Sequence, residues 1–359
     1  MKVVAFICNL SKGGAQGVFV NVVNYIYEAG IEIEVVVQSL DDAIYKDEIH
    51  FGIPIKSLGS ANAKTMLPAL KTYLQHNELS HALVFGPEIA VNLYLMRKLL
   101  RLDFKIVGRC LNTLTQEFKY SEGFFRKYVT SNLIRALFHK VDVAIAQSQG
   151  MADDLIANWG FQSSKVVVIN NALQPAYEHE AKTRETVTKD NYIMFAGRLE
   201  KQKGLEMLLN AFSQMHNREI TLKIIGSGSM KAELEEIASR LQIDHRVEFL
   251  EHTPFIMQYY KKARAMAMTS YFEGFPNVLV EAIACGTPVV SFDLPSGPKE
   301  IIMDGENGFL VPYLDVKEFA KALDKTVSQN WNADDVKATA FRYMRENIIP
   351  KYIKVLEDV

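Results

Sequence analysis

Short apolar runs alternate along the chain with stretches in which apolar residues recur every three or four positions. Residues 3–8 form a first compact apolar run, suited to a buried strand. A glycine-rich turn over 11–17 follows, carrying Gly13 and Gly14, then helical spacing over 18–27 and a second run over 31–37. Strand, glycine loop, helix and strand make a βαβ unit whose loop is able to approach phosphates. The loop lacks the G-x-G-x-x-G order, so the dinucleotide fingerprint is not met, and a plain tight turn is the alternative. The alternation continues with strands at 82–85, 105–107, 141–146 and 166–169 and a helix at 89–100. Such alternation predicts an α/β domain with a parallel sheet.

The pattern lapses over 173–190, which reads as a linker. It then restarts. A strand at 192–195 leads into a loop running from Gly197-Arg198 to Lys203-Gly204, and a helix at 205–215 follows. A strand at 221–225 precedes Gly226-Ser227-Gly228 and a helix at 230–241. Further strands are predicted at 247–250, 265–268, 288–292 and 309–311. The expected organisation is two α/β domains, 1–172 and 191–335, joined by the linker. The last stretch, 336–359, is helical, interrupted by Pro350, and expected to cap the second domain or cross back to the first.

Composition narrows the class. A length of 359 residues favours two domains, and 48% apolar residues supply sizeable cores. A net charge of −2 gives no general reason to expect nucleic acid. Cys8, Cys110 and Cys285 are far apart and form no CxxC, which fits reduced thiols in a cytoplasmic protein. The first apolar run ends without a cleavage pattern, so a strand is a better reading than a signal peptide. No run approaches the roughly 18 apolar residues of a membrane span. The exceptional segment is 118–140, where Phe124, Phe125, Tyr128, Val129, Leu133, Ile134, Leu137 and Phe138 mix with Lys119, Arg126, Lys127, Arg135 and Lys140. It reads as a basic amphipathic helix suited to the inner, anionic face of a membrane. The alternative is an ordinary surface helix with one face on the core.

The candidate chemistry gathers in the second half. Arg198 follows a strand and Lys203 precedes a helix, which places both at the carboxyl edge of a parallel sheet, where ligands bind. Two cations there suit a diphosphate, since Arg forks onto phosphate oxygens and Lys supplies a mobile charge. Glu273 and Glu281 are separated by seven residues that include Gly274, Phe275, Pro276 and Asn277. Pro276 is expected in the first turn of a helix and Glu281 about one turn inside it. A carboxylate beside the anion site of a helix start suits hydroxyls of the same ligand. Phosphate plus diols describes a nucleotide sugar. A glycosidase pair is the competing reading of two carboxylates, although glycosidases need no phosphate loops. Ser296-Gly297 is a further candidate donor to an anion. There is no D-x-D to hold a divalent metal, and no metalloprotease, nucleophile-elbow or P-loop motif.

These motifs together resemble the retaining GT-B glycosyltransferases of family 4. The resemblance spans most of the chain. It rests on Gly13-Gly14-Ala15, Gly197-Arg198 with Lys203-Gly204, Gly226-Ser227-Gly228, Glu273 with Glu281, and Ser296-Gly297-Pro298. It implies two Rossmann-like domains facing across a cleft, with the C-terminal helices crossing back to the first. The second domain would hold a nucleotide sugar, UDP-linked by preference, and the first a glycan or lipid-linked acceptor. Arg198 and Lys203 would stabilise the leaving diphosphate, Glu273 would hold the donor sugar and Glu281 the ribose. The backbone of Phe275, Pro276 and Asn277 would approach the donor, joined by Gly13, Gly14 and Gly197, with Gly226 and Gly228 near the base. No cofactor and no metal is implied. Many relatives carry a His near 109–112; this chain has none there, and Arg109 or Asn112 is the candidate replacement on the acceptor side. An epimerase of the same fold and a non-catalytic nucleotide-sugar binder are the competing functions.

Overall fold

The computed structural model describes residues 1–359 except 12, 61, 62, 122 and 186, and at 63 and 64 the backbone alone. Lys12, in the first glycine-rich turn, therefore lies outside the described residues. The chain forms two compact units, one of residues 1–174 and 345–359, the other of residues 175–344.

The first unit holds a seven-stranded, wholly parallel sheet. Its strands are β1 (Lys2–Ile7), β2 (Glu32–Val37), β3 (Ile55–Ser57), β4 (His81–Phe85), β5 (Lys105–Arg109), β6 (Val143–Ala146) and β7 (Val166–Val168). They lie in the order β3-β2-β1-β4-β5-β6-β7. Alternate residues of β1 serve different cores. Val4 and Phe6 join one apolar cluster, and Val3, Ala5 and Ile7 the other. That explains why β1 reads as a continuous apolar run: a strand covered on both faces has no polar side.

The helix Arg345–Asp358 belongs to this unit. Ile348, Ile349, Tyr352, Val355 and Leu356 bury themselves in the second cluster. Pro350 lies inside the helix and does not break it. A proline there costs about 3 kcal/mol. Burial of five large side chains, at roughly 1.5–3 kcal/mol each, outweighs that cost.

The second unit has six parallel strands: β8 (Tyr192–Ala196), β9 (Thr221–Ile225), β10 (Val247–Leu250), β11 (Ala265–Met268), β12 (Val289–Phe292) and β13 (Gly308–Val311). Their order is β10-β9-β8-β11-β12-β13. The order reverses between β8 and β11, and the loops leaving those strands are where an open α/β sheet takes its ligand.

Two boundaries differ from expectation. The stretch 173–190 is not a plain linker, because Pro175–Lys182 is a helix with Tyr177, Glu180 and Ala181 buried. Glu180 accepts from Lys337 Nζ at 2.9 Å and pairs with Lys261 at 3.1 Å, so its charge is buried but compensated. At the other end, the helix Ala333–Ala338 and the turn Phe341–Tyr343 stay with the second unit, and only the residues from Arg345 on return to the first.

The segment 118–140 is also not one amphipathic helix. It comprises a π-helix, Phe125–Thr130, followed by an α-helix, Ser131–Leu137, and a short 3-10 turn, Phe138–Lys140. Phe118, Ile134 and Phe138 pack into the core. Phe124 and Phe125 are 75% and 70% exposed, and Tyr128, Val129 and Leu133 are exposed beside them. Among the described residues, no helix is long and apolar enough to cross a membrane.

Candidate functional site

Three loops at the carboxyl edge of the second sheet are stitched together. The loop after β8 runs through Gly197, Arg198 and a 3-10 turn, Lys201–Lys203, into the helix Leu205–Gln214. Gly204 starts that helix in the left-handed region, and a Cβ on it would meet the Thr269 carbonyl at 2.4 Å. Only glycine lets these two backbones touch. The contact brings the loop after β8 against the loop after β11. Tyr271 N–H then donates to the Gln202 carbonyl at 2.8 Å, and Gln202 Nε2 donates to the Phe272 carbonyl at 2.9 Å. Thr269 Oγ1 donates to the Lys203 carbonyl at 3.3 Å. From the loop after β12, Ser296 Oγ donates to the Gly274 carbonyl at 2.8 Å. The Ser296 hydroxyl is thus directed into the fold, whereas the sequence suggested a donor to an anion.

Lys203 and Glu273 meet within this framework. Lys203 Nζ lies 2.6 Å from Glu273 Oε1, and Ser270 Oγ donates to the same oxygen at 2.6 Å. Arg198 is exposed, and among the described residues no carboxylate comes within ion-pair distance of it. Among the described residues, this loop therefore carries Arg198 and Lys201 without an ion pair beside the Lys203–Glu273 pair.

The helix Asn277–Ala284 begins one residue later than expected, with Pro276 just before its first turn. The Phe275 ring is buried and packs edge-on against Tyr343 at 5.4 Å, which anchors the helix start. Glu281 sits on the second turn and is half-buried, its carboxyl turned away from water. Tyr260 Oη donates to its Oε2 at 3.3 Å. Burial pushes the Glu281 carboxyl up to about 7, against a smaller opposing effect of that hydrogen bond.

Gly226 and Gly228 have a reason of their own. A Cβ on Gly226 would lie 1.8 Å from the Gly197 carbonyl oxygen, and one on Gly228 would lie 2.3 Å from that of Leu199. These glycines let the loop after β9 nest against the loop carrying Arg198. Leu199 N–H donates to the Ser227 carbonyl at 2.8 Å. Glu200 closes the junction by accepting from Ser229 N–H at 3.0 Å and from Ser229 Oγ at 2.7 Å. Those two bonds from Ser229 hold the Glu200 carboxyl below its ordinary range.

The remaining candidates lie in the first unit. Gly13 precedes the helix Gly14–Glu28, and its backbone is extended. Arg109, suggested for the acceptor side, is the last residue of β5 and is 1% exposed. Its Nε donates to Tyr352 Oη at 2.9 Å, its Nη2 donates to Asn171 Oδ1, and its guanidinium lies over the Phe85 ring. Asn112 Oδ1 accepts from Thr113 N–H at 2.9 Å, so that oxygen serves a local turn.

Sequence reasoning missed Gln202, Glu200, Tyr260, Thr269 and Ser270. The last two carried a signal, since Thr-Ser directly follows the apolar run 265–268 at a carboxyl edge.

Comparison with known proteins bears on the family and the fold. Residues 12–177 match the family described as Glycosyltransferase Family 4, and residues 177–343 match Glycosyl transferases group 1. An N-acetylgalactosamine-N,N'-diacetylbacillosaminyl-diphospho-undecaprenol 4-alpha-N-acetylgalactosaminyltransferase of Campylobacter jejuni is 31% identical over 208 residues, 57% of this chain and 55% of that protein. The lipopolysaccharide 1,6-galactosyltransferase of Escherichia coli is 32% identical over 199 residues, 52% of this chain and 53% of its own. The chain spans about half the length of the curated relatives it matches. Among solved structures, the apo lipopolysaccharide outer core galactosyltransferase WaaB superposes with a TM-score of 0.80 at 20% identity, covering all of both chains. HepE of Anabaena in complex with UDP-glucose does so with a TM-score of 0.79 at 20% identity, again over all of both chains. These likenesses show the fold, two parallel-sheet α/β units of the GT-B type.

Proposed function

We infer, since the chain belongs to glycosyltransferase family 4, that it moves a hexose or N-acetylhexosamine from a UDP-sugar to a glycan or lipid-linked acceptor in surface polysaccharide synthesis. The observation that carries this reading is the Lys203–Glu273 pair, 2.6 Å apart, on the ligand-binding edge that also bears Arg198. Cleavage of the sugar–phosphate bond moves negative charge onto the diphosphate. Fixed cations at that edge stabilise the charge as it develops. Glu273 takes hydroxyls of the sugar and Glu281 those of the ribose. The reaction proceeds with retention and without a metal, the donor phosphate acting as base. Two names support the acceptor and donor classes: the Campylobacter relative acts on a diphospho-undecaprenol substrate, and HepE binds UDP-glucose.

The test is a binding screen against nucleotide sugars, followed by transfer assays with the hits. A glycoside product with retained anomeric configuration by NMR, formed equally with EDTA present, is expected. A new sugar nucleotide formed from donor alone identifies an epimerase instead. Binding of no nucleotide sugar removes the reading altogether.

The protein acts at the cytoplasmic face of a membrane, held there by residues 118–140. Phe124, Phe125, Tyr128, Val129 and Leu133 are exposed apolar side chains, and Lys119, Lys127 and Lys140 of the same segment are exposed too. Such a combination suits an anionic lipid interface. Flotation with anionic liposomes is expected to carry the protein upward. Phe124→Ser with Phe125→Ser should abolish this, and Lys127→Gln with Lys140→Gln should weaken it. Equal flotation of all three proteins overturns the membrane role.

A further inference from the structure

Lys203 and Glu273 do not by themselves define a sugar-reading geometry. A lysine ammonium is a compact charge on a flexible stem, and it attracts a carboxylate from many directions. Lys203 therefore fixes how near Glu273 lies more than which way its carboxylate faces. A second donor to the same oxygen supplies the direction.

Ser270 is that donor. It follows β11 by two residues and is 0% exposed. Its Oγ lies 2.6 Å from Glu273 Oε1, the oxygen that Lys203 also contacts at 2.6 Å. Among the described residues this is the one hydrogen bond its hydroxyl makes. With two donors converging on one oxygen, rotation of the carboxylate about its last bond is arrested. The preceding residue, Thr269, secures the other half of the arrangement by donating to the Lys203 carbonyl at 3.3 Å. The two consecutive side chains thus brace the carboxylate on one loop and the lysine backbone on the other.

We propose that Ser270 is a positioning residue that sets the orientation of Glu273 toward the donor sugar and leaves the nucleotide part of the site untouched. The proposal rests on the reading of Glu273 as the contact to the donor sugar. It separates two quantities that a general packing role would move together: affinity for the nucleotide and affinity for the nucleotide sugar. Loss of a hydrogen bond to a charged group corresponds to about a tenfold change or more in binding.

Calorimetry with UDP, UDP-glucose and UDP-N-acetylglucosamine tests it on the full chain. Ser270→Ala is expected to bind UDP within about twofold of the original protein while losing about tenfold for the preferred UDP-sugar. Ser270→Cys, nearly isosteric with a weaker donor, is expected between the two. Melting curves verify the fold, and if the alanine variant fails to fold, the cysteine variant carries the measurement. Equal losses for UDP and UDP-sugar, or no loss for either, overturn the proposal. If the unaltered protein binds UDP but neither UDP-sugar, the reading of Glu273 has failed at its own level, and the role of Ser270 falls with it.

Discussion

Arg198→Ala lowers turnover by about a hundredfold and leaves the melting temperature nearly unchanged. The rate loss follows from removing one fixed cation from a leaving diphosphate, a change of about 3 kcal/mol in transition-state stabilisation. The stability is preserved because Arg198 is exposed and forms no ion pair among the described residues. Lys203→Ala reaches a similar rate but by a different route. It removes the Lys203 ammonium from Glu273 Oε1, while Ser270 Oγ still donates to that oxygen. The lysine variant is therefore expected to melt lower than the arginine variant. Steady-state kinetics with the donor found by screening, beside thermal melts of both variants, checks this. Near-normal turnover in both removes the leaving-group assignment.

Glu281→Gln is expected to weaken nucleotide binding and to stabilise the fold, two opposite effects of one substitution. The folded protein holds the Glu281 carboxyl up at about 7, well above its ordinary 4.5, because burial disfavours the charged form. In the unfolded chain it ionises near its ordinary value. Between these two values the folded state holds a proton that the unfolded state has lost, so stability falls as pH rises through that window. Above about pH 7 the full cost is present. A neutral glutamine, still able to accept from Tyr260, escapes it. The variant should thus equal the original protein near pH 4.5 and exceed it by on the order of 2 kcal/mol at pH 8. Urea unfolding at both pH values, together with calorimetric titration of UDP, measures both halves. A variant that is no more stable at pH 8 contradicts the burial cost, and one with unchanged UDP affinity contradicts the ribose role.

Most of the strands were legible in sequence because parallel strands buried on both faces leave uninterrupted apolar runs, as in β1 and β11. The edge strand β3 was not legible, since Ile55–Ser57 carries a lysine and a serine and is only three residues long. The helix Pro175–Lys182 was hidden by its own polarity. Glu180 looks solvated in sequence, and it is buried because Lys337 and Lys261, far along the chain, neutralise it. Proline at its first position was the local sign of a helix start. In the site, Arg198, Lys203, Glu273 and Glu281 were legible from residue type and placement. Their supports were not: Ser270 and Tyr260 gain their meaning from single contacts to a carboxylate on another turn or another helix. Arg109 was legible only as an arginine at a strand's carboxyl end, and its burial was not. Its partners are remote in sequence: Asn171 is 62 residues away and Tyr352 is 243.

The return of residues 345–359 to the first unit has a consequence for biogenesis. During synthesis, the seven-stranded sheet emerges long before the helix that completes its second core. Until those residues are made, the surface awaiting Ile348, Ile349 and Tyr352 stays bare, and the Arg109 guanidinium lacks its phenol partner. Domains generally fold as units on the ribosome, N-terminal first, and exposed apolar surface at that stage invites aggregation. Here the second unit, continuous from 175 to 344, is able to finish folding before the first one does. Maturation of the earlier half thus waits on residues 345–359, which are made after the whole of the second unit.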